Sequence, residues 1–216
     1  MRITKLGHSC VRIEQDGVRI VVDPGAFSPD DALDGAHAVL VTHEHFDHVV
    51  PDKLNAAGKA NPDLRVWTAP GLAEQFGDFG DRVHAVRHGD TFDIDGVTVD
   101  VYGTDHALIH RDVPRVENVG FRVGGQVFHP GDSFTVPEAA TPVLLAPSGG
   151  PWLRVAELVD FVREAAPERV YLIHDAVLTE AGQNVVLGAL QRLAAAEGRQ
   201  IVNWQTTDTV DLSAAV

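Results

Sequence analysis

The sequence predicts an α/β fold in which two β-sheets form the core and helices cover them, within one domain spanning residues 1–216. Three observations carry that expectation. Strand-like runs dominate the first part of the chain, and strands alternate with helical patterns after it. Runs such as Ala38–Thr42 and Val143–Ala146 are continuously apolar, as strands buried on both faces are. A length of 216 residues, 44% of them hydrophobic, suffices for one sizeable core.

Arg2–Leu6 and Cys10–Glu14 read as strands. Val18–Val22 follows across Asp16-Gly17, a dipeptide that accepts the left-handed backbone of a tight hairpin. Ala38–Thr42 is a strand, and Pro51–Ala57 a helix with proline at its start. Leu64–Thr68 is a strand and Gly71–Phe76 a short helix. Strands return at Arg82–Val86, Thr91–Ile94 and Val97–Tyr102, the last two joined by Asp95-Gly96. Val119–Val123 and Gln126–Phe128 flank Gly124-Gly125, a second hairpin signal. Val143–Ala146 precedes a helix over Leu153–Ala165, where Val155, Leu158, Val159 and Val162 recur at helical spacing. Val170–Ile173 is a strand. Ala181–Ala196 closes the pattern as a helix with Val185, Val186, Leu190 and Leu193 on one side.

Composition narrows the function. Seventeen basic against 31 acidic residues leave a net charge of −14. Such a chain repels phosphate backbones, so a nucleic-acid partner is not expected. No apolar run reaches the length of a membrane span, and MRITKLGHSC lacks the apolar core of a secretory signal. One cysteine, Cys10, rules out an internal disulfide and a cysteine-rich zinc ribbon. These features point to a cytoplasmic protein acting on a small-molecule substrate, and they leave open whether it forms a homo-oligomer. There is no phosphate-binding loop or dinucleotide glycine motif, and Ser148 in Pro147-Ser148-Gly149-Gly150 lacks the nucleophile-elbow pattern.

The chemistry concentrates after the Ala38–Thr42 strand, in His43-Glu44-His45-Phe46-Asp47-His48. Four ligand-type side chains fall within six residues. Two histidines two apart, then an adjacent aspartate and histidine, match neither one strand face nor one helix face. The spacing suits a loop wrapped around a site, with two ligands directed to one metal and two to another. Neutral imidazole and carboxylate are proper ligands for zinc and related metals.

His43, His45, Asp47 and His48 match HxHxDH in full, and here the chain resembles the metallo-β-lactamase fold superfamily. The resemblance implies an αββα sandwich, two mixed β-sheets flanked by helices. It also implies a later histidine, an aspartate and a last histidine, each beyond a strand. His106 follows Val97–Tyr102. His129-Pro130-Gly131-Asp132-Ser133 resembles the family's GD motif and offers Asp132. His174 follows Val170–Ile173. Leu6-Gly7-His8-Ser9 and Val22-Asp23-Pro24 are similar to the branch containing ascorbate-6-phosphate lactonase-like proteins and other bacterial metal-dependent hydrolases.

By this resemblance, His43, His45 and His106 bind one divalent ion. Asp47, His48 and His174 bind a second, and Asp132 bridges them. His110 rivals His106, which lies nearer its strand end. Asp23 is expected to orient a ligating imidazole. His8 is expected to contact substrate or support the site, and Trp152 to line the substrate cleft, the other reading being a tryptophan packed at a helix start. His129 reads either as packed below the site or as functional. The implied reaction is attack by a metal-bound hydroxide on a small ester, lactone, amide or phosphodiester, with Asp47 also able to carry a proton to the leaving group when the second site is empty or loosely held. Zinc suits the ligands, and manganese or iron are compatible. The alternatives are an iron-dependent oxidoreductase on the same fold, whose di-iron branch usually carries Glu where His45 stands, and a non-catalytic metal-binding protein.

Overall fold

The structure is a computed structural model and describes residues 1–195 and 198–213. Its strands are β1 Arg2–Gly7, β2 Cys10–Gln15, β3 Val18–Val22, β4 Ala38–Val41, β5 Arg65–Thr68, β6 Val83–Ala85 and β7 Thr91–Ile94. They continue with β8 Val97–Tyr102, β9 Gly120–Val123, β10 Val127–His129, β11 Val143–Pro147, β12 Arg169–Ile173, β13 Gln200–Val202 and β14 Thr209–Asp211. The helices are α1 Pro51–Ala60, α2 Pro70–Ala73, α3 Val155–Ala165 and α4 Glu180–Leu193.

The strands form two sheets of seven, ordered β14-β1-β2-β3-β4-β5-β6 and β13-β12-β11-β10-β9-β8-β7. Each is mixed. In the first, β14 through β3 pair antiparallel and β3 through β6 parallel. In the second, β7 through β10 pair antiparallel and β10 through β13 parallel. Alternation along each strand decides which layer a side chain enters. Ile20, Val22 and Leu40 point between the sheets, where they meet Val99, Phe121, Leu145 and Trp204. Val21, Val39 and Val41 point the other way, onto Leu54 of α1 and onto Phe76 and Phe79. Across the sandwich, Phe128, Leu144 and Leu172 pack against Leu158 and Val162 of α3 and Leu190 of α4. The predicted αββα sandwich of two mixed sheets is therefore the observed one. No helix among the described residues is long and apolar enough to cross a membrane.

Three elements depart from the sequence reading. The helix expected over Gly71–Phe76 is only one turn, α2, followed by a 3-10 segment, Glu74–Arg82. Phe76 and Gly80 leave helical backbone there, and the break lets both Phe76 and Phe79 turn into the core. β13 and β14 were not expected at all. They are three-residue pieces that exist through pairing with β12 and β1, respectively. The helix expected over Ala181–Ala196 is α4; Ala196 lies outside the described residues.

Gly58 in α1 faces Phe79, and a Cβ added there would sit 2.3 Å from the phenyl Cζ. Alanine is the better helix former by about 1 kcal/mol, but overpacking costs about 1–3 kcal/mol, so packing decides the sign. Gly58→Ala should lower stability by up to about 2 kcal/mol in denaturant titration. A more stable variant would show that the Gly58–Phe79 contact does not limit packing.

Candidate metal centre

The residues singled out by the motif reading leave one edge of the sandwich. Asp23 follows β3, His43 follows β4 by one residue, Asp132 follows β10 and His174 follows β12. Parallel pairing aligns the carboxyl ends of β3 with β4 and of β10 with β11 and β12. His8 sits in the turn between β1 and β2. Backbone hydrogen bonds stitch the sheets together at this edge. The His174 N–H donates to the His8 carbonyl at 3.1 Å and the Val119 N–H to the Thr42 carbonyl at 3.0 Å.

The side chains gather into two groups, each able to hold a metal ion. One is His43, His45, His106 and Asp132; the other is His8, Asp47, His48 and His174, with the offered ligand atoms of each group all within 4.8 Å of one another. Asp132 stands between them. Its Oδ1 is 3.1 Å from His48 Nε2, and its Oδ2 is 3.0 Å from His174 Nε2 and 3.3 Å from His106 Nε2. His43 Nε2 is 4.0 Å away.

The hydrogen-bond inventory shows what this space is built for. His48 Nε2, His106 Nε2, both ring nitrogens of His174 and Asp132 Oδ1 are buried without a hydrogen-bond partner. Unsatisfied buried polar atoms are uncommon in folded proteins, and here they converge on one place. A cation supplies what His48 Nε2, His106 Nε2, His174 Nε2 and Asp132 Oδ1 lack, so the donor set fits a pair of divalent ions.

The far nitrogens of the rings are tied back. Asp23 is fully buried and accepts three hydrogen bonds: from the Thr42 N–H at 2.8 Å, the Thr42 hydroxyl at 2.7 Å and His48 Nδ1 at 2.7 Å. The Thr42 hydroxyl in turn accepts from His43 Nδ1 at 3.0 Å. His106 Nδ1 donates to the Ala107 carbonyl at 2.5 Å. Each anchor fixes the tautomer that leaves Nε2 free for a metal. Asp23 thus holds the far nitrogen of His48, with Nε2 turned to Asp132.

Charge follows from the same contacts. Burial works to raise the Asp132 carboxyl, but the charges of His48 and His174 hold it well below the usual carboxylate range. Burial likewise opposes charge on His48, yet Asp132 and Asp23 on either side hold its imidazole well above its ordinary value. For Asp47 burial is outweighed by the His8 hydrogen bond and by His48 and His174, leaving it at about 2. Burial pushes the Cys10 thiol up to about 12, which makes it inert packing rather than a nucleophile.

The remaining candidates divide. His106 joins the cluster; His110 is exposed, its Nδ1 accepting from the Asp112 N–H at 3.2 Å, and belongs to neither group. His129 is buried with both nitrogens satisfied, Nε2 donating to the Ser9 carbonyl and Nδ1 accepting from the Gly131 N–H. That is the packed role. His8 accepts the Ala176 N–H on Nδ1 at 3.1 Å, so Nε2 carries the proton and faces Asp47 Oδ2 at 3.3 Å. It therefore supports the Asp47 carboxylate. Trp152 is 5% exposed and does not form an open cleft wall. Its indole N–H donates to Asp132 Oδ2 at 3.0 Å, and its ring lies edge-on to His106 and His174.

Sequence reasoning missed Thr42, Asn118 and Gly25. Asn118 accepts the Asp132 N–H at 3.0 Å and donates to the Pro130 carbonyl at 2.9 Å, clamping that loop. A Cβ on Gly25 would lie 1.9 Å from the Asp47 carbonyl oxygen, so only glycine lets the histidine-rich loop close over it. A glycine next to Asp23-Pro24 was the available signal; Asn118 carried none.

Two outcomes follow. Asp23→Asn replaces one acceptor oxygen with a donor that must face a Thr42 or His48 N–H or O–H. Metal affinity, measured by chelator competition, should fall about 10–100-fold. Trp152→Phe replaces the indole with a smaller aromatic ring and removes the N–H from an ionised oxygen, so unfolding free energy in denaturant titration should fall by about 1.5–3 kcal/mol while bound metal stays near the parent level. Unchanged affinity in the first variant would remove the orienting role.

Comparison with known proteins places this geometry. A β-lactamase superfamily domain profile matches residues 2–174, a span that includes every member of both groups. Protein Rv0786c of Mycobacterium tuberculosis is 34% identical, across 89% of this chain and 92% of that one. UPF0173 metal-dependent hydrolase Atu1317 of Agrobacterium fabrum is 29% identical, across 62% and 63%. The solved structure of Igni18, a metallo hydrolase from the archaeon Ignicoccus hospitalis, superposes with a TM-score of 0.75 at 21% identity, covering 97% of each chain. The chain belongs to the β-lactamase superfamily domain family, and relatives and structural neighbours of it are named metal-dependent hydrolases.

Proposed function

We propose that the protein hydrolyses a small ester, lactone, amide or phosphodiester with two divalent cations held at the paired groups. The observation that carries this reading is the convergence of both groups on Asp132, whose two oxygens face imidazoles of different groups at 3.0–3.3 Å. His43, His45 and His106 would hold one cation, and Asp47, His48 and His174 the other, with Asp132 reaching both. His-rich sites with carboxylates suit zinc. When bound, such a pair activates a water as nucleophile and polarises the oxygen of the scissile bond.

The chain's own residues supply the rest. His8 keeps the Asp47 carboxylate oriented and ionised through its Nε2–H. Asp47 is only partly buried, so where the second cation does not engage it, its ionised carboxylate can take a proton from the attacking water and hand it to a departing oxygen or nitrogen at the mouth of the site. Trp152 holds Asp132 Oδ2 in place and seals that side from water.

Elemental analysis after reconstitution should approach two divalent ions per chain. A chelator should lower the melting temperature, because ions bound only by the folded state stabilise it by mass action. Asp132→Asn keeps shape and loses charge and one acceptor, so it should lower metal content and cut turnover at least 100-fold on whichever ester, lactone or phosphodiester the parent accepts. A fully active Asp132→Asn protein with two ions would overturn the bridging role. Saturation at one ion would overturn the dinuclear reading.

A further inference from the structure

The mouth of the metal centre lies where His45 and Asp47 reach partial exposure while the other ligand candidates stay buried. Phe46, between those two residues, is 66% exposed. Phe27 is exposed beside it, with ring centroids 6.1 Å apart, and Phe27 also lies 5.0 Å from the His8 ring. Leu108, two residues past His106, and Val177, three past His174, are exposed too. Val113 returns from the same excursion as Leu108, and both line a recess that reaches His45 and His106. Among the described residues, seven large hydrophobic side chains are exposed, and these are five of them; the other two, Val185 and Leu193, are on α4.

Loops normally present polar groups to water, and a contiguous exposed apolar patch marks a binding surface. Here the apolar side chains come from four separate loops, each of which also carries or adjoins a member of the metal groups. The chain's net charge of −14 adds no general attraction for anions.

Resting on the hydrolytic reading above, we propose that the substrate carries an apolar acyl or alkyl group next to the scissile ester or lactone bond. The exposed Phe27–Phe46 pair and the exposed side chains of Leu108 and Val113 contact that group while the reacting carbonyl faces the metal groups. Apolar area removed from water then contributes to recognition in proportion to chain length.

The test uses the metal-loaded full chain and p-nitrophenyl esters from acetate to octanoate. The ratio of kcat/KM for hexanoate to that for acetate should reach about tenfold or more, since each buried methylene adds binding free energy. In Phe46→Ser and Leu108→Ser the ratio should fall toward one, with metal content unchanged. Because it is a ratio within each variant, partial misfolding does not imitate it. Calorimetric titration with acetohydroxamate and hexanohydroxamate gives the same comparison without turnover. Tighter binding of the longer probe with no ester hydrolysis would retain the apolar surface and overturn the ester as the scissile bond. Hydrolysis with a flat chain-length profile would overturn the apolar surface alone. A dimer in sedimentation velocity that dissociates on Phe46→Ser would also overturn it, assigning the rim to a second copy of the chain.

Discussion

Asp132 carries its charge into a place almost closed to water, and that single burial sets conditions that the surrounding structure meets. A buried carboxylate is stable only when positive charge and hydrogen bonds replace its lost hydration. The indole N–H of Trp152 supplies one fixed hydrogen bond to the carboxylate, and Asn118 holds the Asp132 backbone in place. The imidazoles of His48, His106 and His174 supply the rest, each within 3.3 Å. Three rings can approach one carboxylate only if three loops end at the same point. The parallel pairing of β10 with β11 and β12, opposite that of β3 with β4, brings them there.

The anchoring beneath the site follows from the same need for fixed charge. Asp23 spends its acceptors on Thr42 and His48, so the histidine-rich loop is held from below before any ion arrives. Three residues here, His8, Asp23 and His174, adopt positive φ without being glycine. Such backbone is costly for a side chain with a Cβ and persists where contacts over-determine it. Each of the three has those contacts: His8 and His174 through the bond between their own backbones, Asp23 through its buried carboxylate.

What was legible in the sequence depended on whether the signal was local. His43 to His48 is contiguous, and its spacing alone indicated two metals. His106, Asp132 and His174 were legible through the family resemblance, whose pattern asks for them in this order after strands. Asp23 was legible from its strand-end position because a ligating imidazole needs a carboxylate behind it. Asn118 and Thr42 carried no local mark, since their roles exist only once two distant loops meet. Trp152 was readable as important but not as what it touches: sequence places it before α3, and only the fold turns its N–H onto Asp132. β13 and β14 are too short and polar to show periodicity, and tertiary pairing alone makes them strands.

The division of ligands between the sheets gives the metals a structural meaning as well. In the first group, His43 and His45 come from the first sheet, His106 and Asp132 from the second. In the other group, His8, Asp47 and His48 come from the first sheet and His174 from the second. Neither sheet holds a complete set, so a bound ion is a cross-link between them. Binding free energy at such a site is also folding free energy, because the unfolded chain cannot assemble the ligands. The layer of apolar side chains between the sheets, from Ile3 to Trp204, brings the two edges into register. Burial holds the His43, His45 and His8 imidazoles below their ordinary value, toward the neutral form in which imidazole ligates a cation. The edge that packing between the sheets brings together is therefore the one a metal pair would close.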